Sequence, residues 1–171
     1  GQQCQVCKPL FVGNPVEGGS CTSCNEFCHE RTGICVSDLD LPFLLEMLDS
    51  RASLLIHHHH PPKDYLRAAV TALSRSGALN ATDFSYLIRR APKDNEAVCL
   101  NCAGNTQGDR CEECQDGFFR IATSKVHPCR PCECNGHSNT CTKDDGRNCD
   151  CRNNTKSPKC DDSKAPCFTQ Q

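Results

Sequence analysis

Tryptophan is absent from this chain, tyrosine occurs twice and methionine once. Leucine, isoleucine, valine and phenylalanine together make up only 31 of 171 residues, too few for one large apolar core. No apolar run approaches the roughly 18–20 residues needed to span a bilayer, so direct membrane insertion of this segment is not expected. Neither sign of charge dominates: 19 Lys and Arg face 21 Asp and Glu. That balance offers no field to nucleic acid or an anionic lipid surface, and no charge excess of the kind that keeps chains disordered. The first residues, Gly1-Gln2-Gln3-Cys4, have no leader character. A secreted chain of this kind is therefore expected to be a mature fragment.

What the chain has instead is cysteine, 18 residues of it, at the level of a disulfide scaffold in an oxidising compartment. The distribution is uneven. Residues 1–35 hold six cysteines, residues 99–171 hold twelve, and residues 36–98 hold none. The cysteine-free stretch carries 18 of the 31 large apolar residues, including 11 of the 13 leucines. Two kinds of chain therefore alternate, one suited to cross-links and one suited to a core.

The middle stretch reads as a small all-α segment of about three helices. Leu41, Leu44, Leu45 and Leu48 share one helical face. Asp40 is placed to cap that helix, and Pro42 fits its first turn. A second helix is expected after Pro61-Pro62, where Leu66, Ala69, Val70 and Leu73 repeat the spacing. Gly77 stands where a left-handed C-terminal residue belongs. A third is expected from Thr82 as N-cap, burying Phe84, Leu87 and Ile88 and stopping before Pro92, with Arg89 and Arg90 suiting its dipole. Between the cysteines outside this stretch, Gly, Asn, Asp, Ser, Thr and Pro crowd together. Turns and short two-stranded ribbons are expected there.

The cysteines follow a grammar. Cys-x-x-Cys pairs stand at 4/7, 21/24, 99/102, 111/114 and 129/132, and Cys-x-Cys pairs at 132/134 and 149/151. Spacing alone leaves two chemistries open. Thiolates in such pairs can hold structural zinc, as 4/7 with 21/24 would in a ribbon of an intracellular adaptor, or they can be oxidised to disulfides. Repeated phrases favour the second. Cys102-Ala103-Gly104-Asn105-Thr106-Gln107-Gly108-Asp109-Arg110-Cys111-Glu112-Glu113-Cys114 runs on to Gly117-Phe118-Phe119. Cys151-Arg152-Asn153-Asn154-Thr155 opens like it, and Cys7-Lys8-Pro9-Leu10-Phe11 ends like it. Cys132-Glu133-Cys134-Asn135-Gly136-His137-Ser138-Asn139-Thr140-Cys141 is a second phrase. Together these resemble laminin-type EGF modules over all but the insertion. The stretch from Cys7 to Cys21, and the insertion ending Glu96-Ala97-Val98-Cys99-Leu100-Asn101-Cys102, resemble the membrane-proximal part of the attractin family. Those are large single-pass cell-surface proteins.

That resemblance implies a small disulfide-rich fold of tandem modules with little regular structure. Residues 1–22 would be the end of one laminin-type EGF module. Residues 23–129 would be a second, interrupted by the helical insertion at 36–98. Residues 130–171 would be a third, lacking an eighth cysteine. It further implies the pairing Cys7–Cys21, Cys24–Cys35, Cys28–Cys99, Cys102–Cys111, Cys114–Cys129, Cys132–Cys141, Cys134–Cys149 and Cys151–Cys160, with Cys4 and Cys167 left over. Three departures from the pattern stand out: Cys24-x-x-x-Cys28 in place of Cys-x-Cys, Arg120 in place of a glycine, and six residues between Cys160 and Cys167.

Four further features have modest readings. His57 to His60 form an internal run, expected in a loop or at a helix end as a solvated tract that would bind nickel or zinc adventitiously. Asn80-Ala81-Thr82 and Asn153-Asn154-Thr155 are acceptor triplets for N-glycosylation. The spacing from Ser76-Gly77 to Asp83-Phe84 echoes an EF-hand, but Ala72, Ser74 and Ser76 would fall on the ligand positions, so no calcium is expected. No catalytic constellation, metal site or cofactor motif emerges: the remaining histidines, His29, His127 and His137, lie in cysteine-rich loops. The resemblance implies a stalk and protein-interaction segment on the extracellular face of the plasma membrane, with an unidentified protein partner and a part in developmental signalling. A passive spacer and the zinc adaptor are the alternatives.

Overall fold

The computed structural model describes residues 5–88, 90–121, 127–135, 138–151, 155–156, 160 and 162–163. Cys4, Cys167, Arg89, His137 and Asn153 lie outside them. The chain divides into two compact units, one of Gly1–Cys102 with Gly108–Cys111 and one of Ala103–Gln107 with Glu112–Gln171.

The first unit begins with a ribbon. Strands β1 (Phe11–Gly13) and β2 (Cys21–Ser23) pair antiparallel, Val12 opposite Thr22. One turn of helix, α1 (Cys24–Phe27), follows directly, because Ser23 at its N-cap accepts from the Glu26 N–H at 3.2 Å and so satisfies a free donor of the first turn. Val12, Phe27 and Ala97 bury themselves among Cys24, Cys28, Cys35, Cys99 and Cys111, so this core is as much sulfur as hydrocarbon.

Strands β3 (Cys35–Ser37) and β4 (Ala97–Cys99) pair antiparallel with Cys35 opposite Cys99. Everything from Asp38 to Glu96 is therefore a loop between two paired strands. At its neck the Ser37 hydroxyl donates to Glu96 Oε2 at 3.0 Å and accepts from the Leu39 N–H at 3.2 Å. Glu96 Oε1 accepts from the Lys93 N–H at 3.0 Å. One carboxylate thus ties both ends of the insertion.

The insertion holds four helices rather than three: α2 (Leu41–Leu48), α3 (Ala52–His59), α4 (Lys63–Ser76) and α5 (Ala81–Leu87). The additional one, α3, has a weak sequence signal because it buries only Ala52 and Ile56 and leaves Leu54 exposed. Its last turn contains His57, His58 and His59, and His60 ends it in the left-handed conformation at φ 44°. Two expected caps move. The N-cap of α5 is Asn80, not Thr82: Asn80 Oδ1 accepts from the Asp83 N–H at 3.0 Å and Asp83 Oδ2 accepts from the Asn80 N–H at 2.9 Å, a reciprocal box that Thr82 has no partner to form. At the end of α4, Gly77 has φ −82° and Ala78 takes the positive φ of 53°. Asp40 precedes α2 without a side-chain capping bond; it closes a 3-10 turn, Asp38–Asp40, that Ser37 caps. Arg90 lies beyond α5, which stops at Leu87, and Ile88 is buried in an extended conformation.

The helices do not close a core among themselves. Leu41, Leu44, Leu45, Ile56, Leu66, Val70, Phe84 and Ile88 pack with Ile34, Val36, Val98 and Leu100, which lie in or beside β3 and β4. Leu48, Ala69, Leu73 and Leu87 are partly buried against this cluster. About 50 residues of short helix are marginal alone; here the module's own strands complete the apolar set.

The second unit is a chain of short ribbons: β5 (Thr106–Gln107) with β6 (Glu113–Cys114), β7 (Phe118–Phe119) with β8 (Arg130–Pro131), and β9 (Thr155–Lys156) with β10 (Asp162–Ser163). Phe119 is the largest buried side chain among its described residues. Gly146, at φ +71°, stands on that ring: a Cβ there would lie 2.8 Å from its carbons, and the Arg130 guanidinium sits 5.4 Å from the ring centroid. Arg120, where the module pattern has glycine, donates to the Glu112 carbonyl at 2.9 Å and the His127 carbonyl at 3.2 Å. It laces the loop that Cys114–Cys129 closes.

Candidate functional site: a docked helical insertion

Among the described residues, eight disulfides organise the cysteines. In the first unit Cys7 joins Cys21, Cys24 joins Cys35, Cys28 joins Cys99 and Cys102 joins Cys111. In the second, Cys114 joins Cys129, Cys132 joins Cys141, Cys134 joins Cys149 and Cys151 joins Cys160. Cys28, Cys99 and Cys111 place their sulfurs within 4.8 Å of one another, but all three belong to bridges, and a disulfide sulfur is not the thiolate that zinc requires. Cys7 and Cys24, two of the ribbon-spaced set, are likewise each bonded to a different partner.

Cys28–Cys99 spans 71 residues of sequence and clamps the insertion just behind its neck. In the chain-entropy model a loop of that size contributes roughly 4 kcal/mol.

A second attachment holds α4. Asp109 lies in the loop closed by Cys102–Cys111. Its Oδ2 accepts from Lys63 Nζ at 2.8 Å, and its Oδ1 pairs with the Arg67 guanidinium. The hydrogen bond to Asp109 raises the Lys63 pKa above its ordinary value, since the carboxylate favours the charged ammonium. Arg67 also reaches Asp64 at 3.2 Å. Further along α4, the buried Ser74 hydroxyl bridges the Thr71 carbonyl and Asn101 Oδ1, and Arg75 donates to the Cys102 carbonyl at 3.3 Å. From the other side Arg110 stacks on Phe27, 4.3 Å from the ring centroid, and donates to the Phe27 carbonyl. Neighbouring residues of one disulfide loop thus grip α4 and α1. The spacing of Lys63, Arg67 and Ser74 marks none of them out, and their pairings with Asp109 and Asn101 join positions 27 to 46 apart.

With the insertion held at the neck and along α4, its outward side carries apolar groups. Leu39, Phe43 and Met47 recur every four residues and remain 71%, 41% and 50% exposed. Tyr86, on α5, is 85% exposed. A cleft lined by Asp40, Phe43, Leu44, Leu87 and Ile88 lies between α2 and the end of α5. Asn80, at the start of α5, is exposed, and its carbonyl oxygen makes the helix cap. That leaves its amide nitrogen, the atom a glycan would occupy, outside the cap. No helix among the described residues is long and apolar enough to cross a membrane.

Against known proteins, a family model described as the laminin/attractin EGF domain matches residues 89–129, the segment after the helices. The multiple epidermal growth factor-like domains protein 8 of Mus musculus is 34% identical over 163 residues, 95% of this chain and 5% of that protein. Laminin subunit gamma-2 of Equus caballus is 32% identical over 180 residues, 96% of this chain and 14% of that one. Laminin subunit gamma-1 of Danio rerio is 40% identical over 81 residues, 43% of this chain and 5% of its own. The chain thus spans about one-twentieth of the length of the first of these relatives.

Proposed function

Because the chain is built from EGF modules of the laminin/attractin family, we propose that it is an extracellular stalk segment whose helical insertion is a protein-interaction surface of a single-pass, attractin-like cell-surface protein. The modules are spacers stapled by disulfides, with boundaries at 1–22, 23–129 and 130–171. Its role is binding and positioning rather than catalysis, in line with relatives named for laminin subunits and EGF-like domains. The observation that carries the reading is the two-point attachment of the insertion, by Ser37 and Glu96 at the neck and by Lys63 and Arg67 on Asp109 along α4. A passive spacer has no need to hold 59 residues at a fixed attitude while leaving Leu39, Phe43 and Met47 at the surface.

Glycosylation at Asn80 and Asn153 belongs to the same reading. A glycan on Asn80, which is exposed, would keep the start of α5 in solvent.

The test is binding of the secreted chain, presented as a multimer, to cells that respond to the parent protein. Phe43→Glu with Met47→Glu is expected to abolish binding, and Lys143→Glu in the second unit to leave it unchanged. Equal binding by both variants would return the insertion to the status of a spacer. Intact mass of the same material should rise by about two daltons per bridge on reduction.

A further inference from the structure

Two bridges of the first unit share one cluster of sulfur. Cys28–Cys99 and Cys102–Cys111 stand so close that the sulfurs of Cys28, Cys99 and Cys111 all lie within 4.8 Å of one another. Rotation of a side chain is enough to bring Cys111 Sγ against its neighbours. Cys28, Cys99 and Cys111 are buried, whereas Cys102 is half-buried, so a thiol from solvent reaches this cluster at Cys102. Attack there drives the electron pair onto Cys111, the inner sulfur. Cys111 stays in place when its own bridge opens, because the loop before it is pinned without sulfur. The Cys99 N–H donates to the Asp109 carbonyl at 2.8 Å, His29 Nδ1 donates to the Arg110 carbonyl at 2.9 Å, and Arg110 stacks on Phe27. A thiolate freed at Cys111 is thus left beside an intact disulfide.

We propose that Cys102–Cys111 is the trigger of a thiol–disulfide exchange that releases the Cys28–Cys99 clamp, with a dithiol reductant as co-reactant. In the first step one thiolate of the dithiol bonds to Cys102 Sγ, and Cys111 leaves as a thiolate. Cys111 then attacks Cys99 Sγ. The Cys99–Cys111 bond forms, the Cys28–Cys99 bond breaks, and Cys28 carries off the electron pair and takes up a proton. The second thiolate of the dithiol closes on its own sulfur and frees Cys102 as a thiol. One dithiol is oxidised, and two bridges become one bridge and two thiols. Cys99 is the target rather than Cys28 because the Asp109 hydrogen bond already holds residue 99 against this loop, and the loop from 99 to 111 is far shorter than the loop from 28 to 111. The new bridge does not enclose residues 38–96, so the insertion keeps only its neck and its contacts to Asp109 and the neighbouring backbone.

The experiment is a titration of the intact, oxidised chain with dithiothreitol, quenched with N-ethylmaleimide at acidic pH and mapped by mass spectrometry of its peptides. The first species labelled at Cys102 should also be labelled at Cys28 and should contain a Cys99–Cys111 cross-linked peptide, and its amide exchange should rise over 38–96. In Cys111→Ser, which has no inner thiolate to pass on, label at Cys28 under the same dose should fall at least about tenfold. Three results would overturn the exchange: label on Cys102 and Cys111 with Cys28–Cys99 retained, opening of Cys28–Cys99 before Cys102–Cys111, or undiminished label on Cys28 in Cys111→Ser. The wild-type map needs no variant, so it decides the matter even where Cys111→Ser fails to fold.

Discussion

Residues 38–96 and the modules around them are stabilised in different currencies of the same chain. The helical insertion contains no cysteine, and its side chains reach order by packing Leu44, Val70 and Phe84 into a cluster completed by Val36, Val98 and Leu100. Among its described residues the second unit has one large buried aromatic, Phe119, and it relies on bridges such as Cys132–Cys141 and Cys134–Cys149 that close loops of 9 and 15 residues. Apolar burial acts on the folded state, while a cross-link acts chiefly by restricting the unfolded one. The first unit uses both, and Cys28–Cys99 is where they meet: a long-range bridge stands directly behind a neck whose far side is hydrocarbon.

That contrast can be broken experimentally in order of expected effect. Cys28→Ser/Cys99→Ser should cost roughly 4 kcal/mol in urea unfolding and Cys132→Ser/Cys141→Ser roughly 2.5 kcal/mol. Equal effects of the two would mean that loop length does not govern here. Next, Leu44→Ala, at a fully buried position, should cost about 3 kcal/mol by leaving a cavity. Amide exchange should then rise throughout 38–96 and stay unchanged in the second unit.

Asp109→Asn should have a smaller effect, about 1 kcal/mol or less, because Lys63, Arg67 and Asp109 are all partly exposed. Its sharper signature is pH. The Lys63 pKa is raised in the folded chain, so its contribution is complete below the unfolded value near 10.4 and is lost as pH rises through the folded value. Stability of the wild-type chain should fall more steeply than that of Asp109→Asn above about pH 10. The smallest change separates sugar from cap. Asn80→Asp keeps an acceptor at the N-cap and removes the triplet, so it should leave stability within about 0.5 kcal/mol while abolishing any glycan at that position, read by mass. Asn80→Ala should cost about 1 kcal/mol.

Some of this was legible before any coordinates. The leucine spacing of α2 and α4 points to the faces that are buried, because a 3.6-residue repeat is a local property. The division into cysteine-rich and cysteine-free chain is plain composition. The extra helix was not legible: Ala52 and Ile56 alone make too thin a stripe beside an exposed Leu54 and a run of histidines. Nor was the Asn80 cap, because Thr82 and Asn80 are both good capping residues and only the Asp83 side chain, reaching back, distinguishes them. Spacing alone could not decide between thiolate and disulfide, and the module phrases, not the Cys-x-x-Cys pairs, carried that choice.

By itself, then, the sequence determined what is repeated or periodic: module phrases, helical faces, turn residues, and the absence of a core large enough to stand without cross-links. Tertiary structure alone decided how the insertion is attached. That the helices borrow Ile34, Val36, Val98 and Leu100, that Lys63 on α4 leans on Asp109 46 positions away, and that Glu46 faces His57 are meetings between separate elements. No short-range pattern encodes the first two, since they require the strand pair β3–β4 and the Cys102–Cys111 loop to stand against the helices.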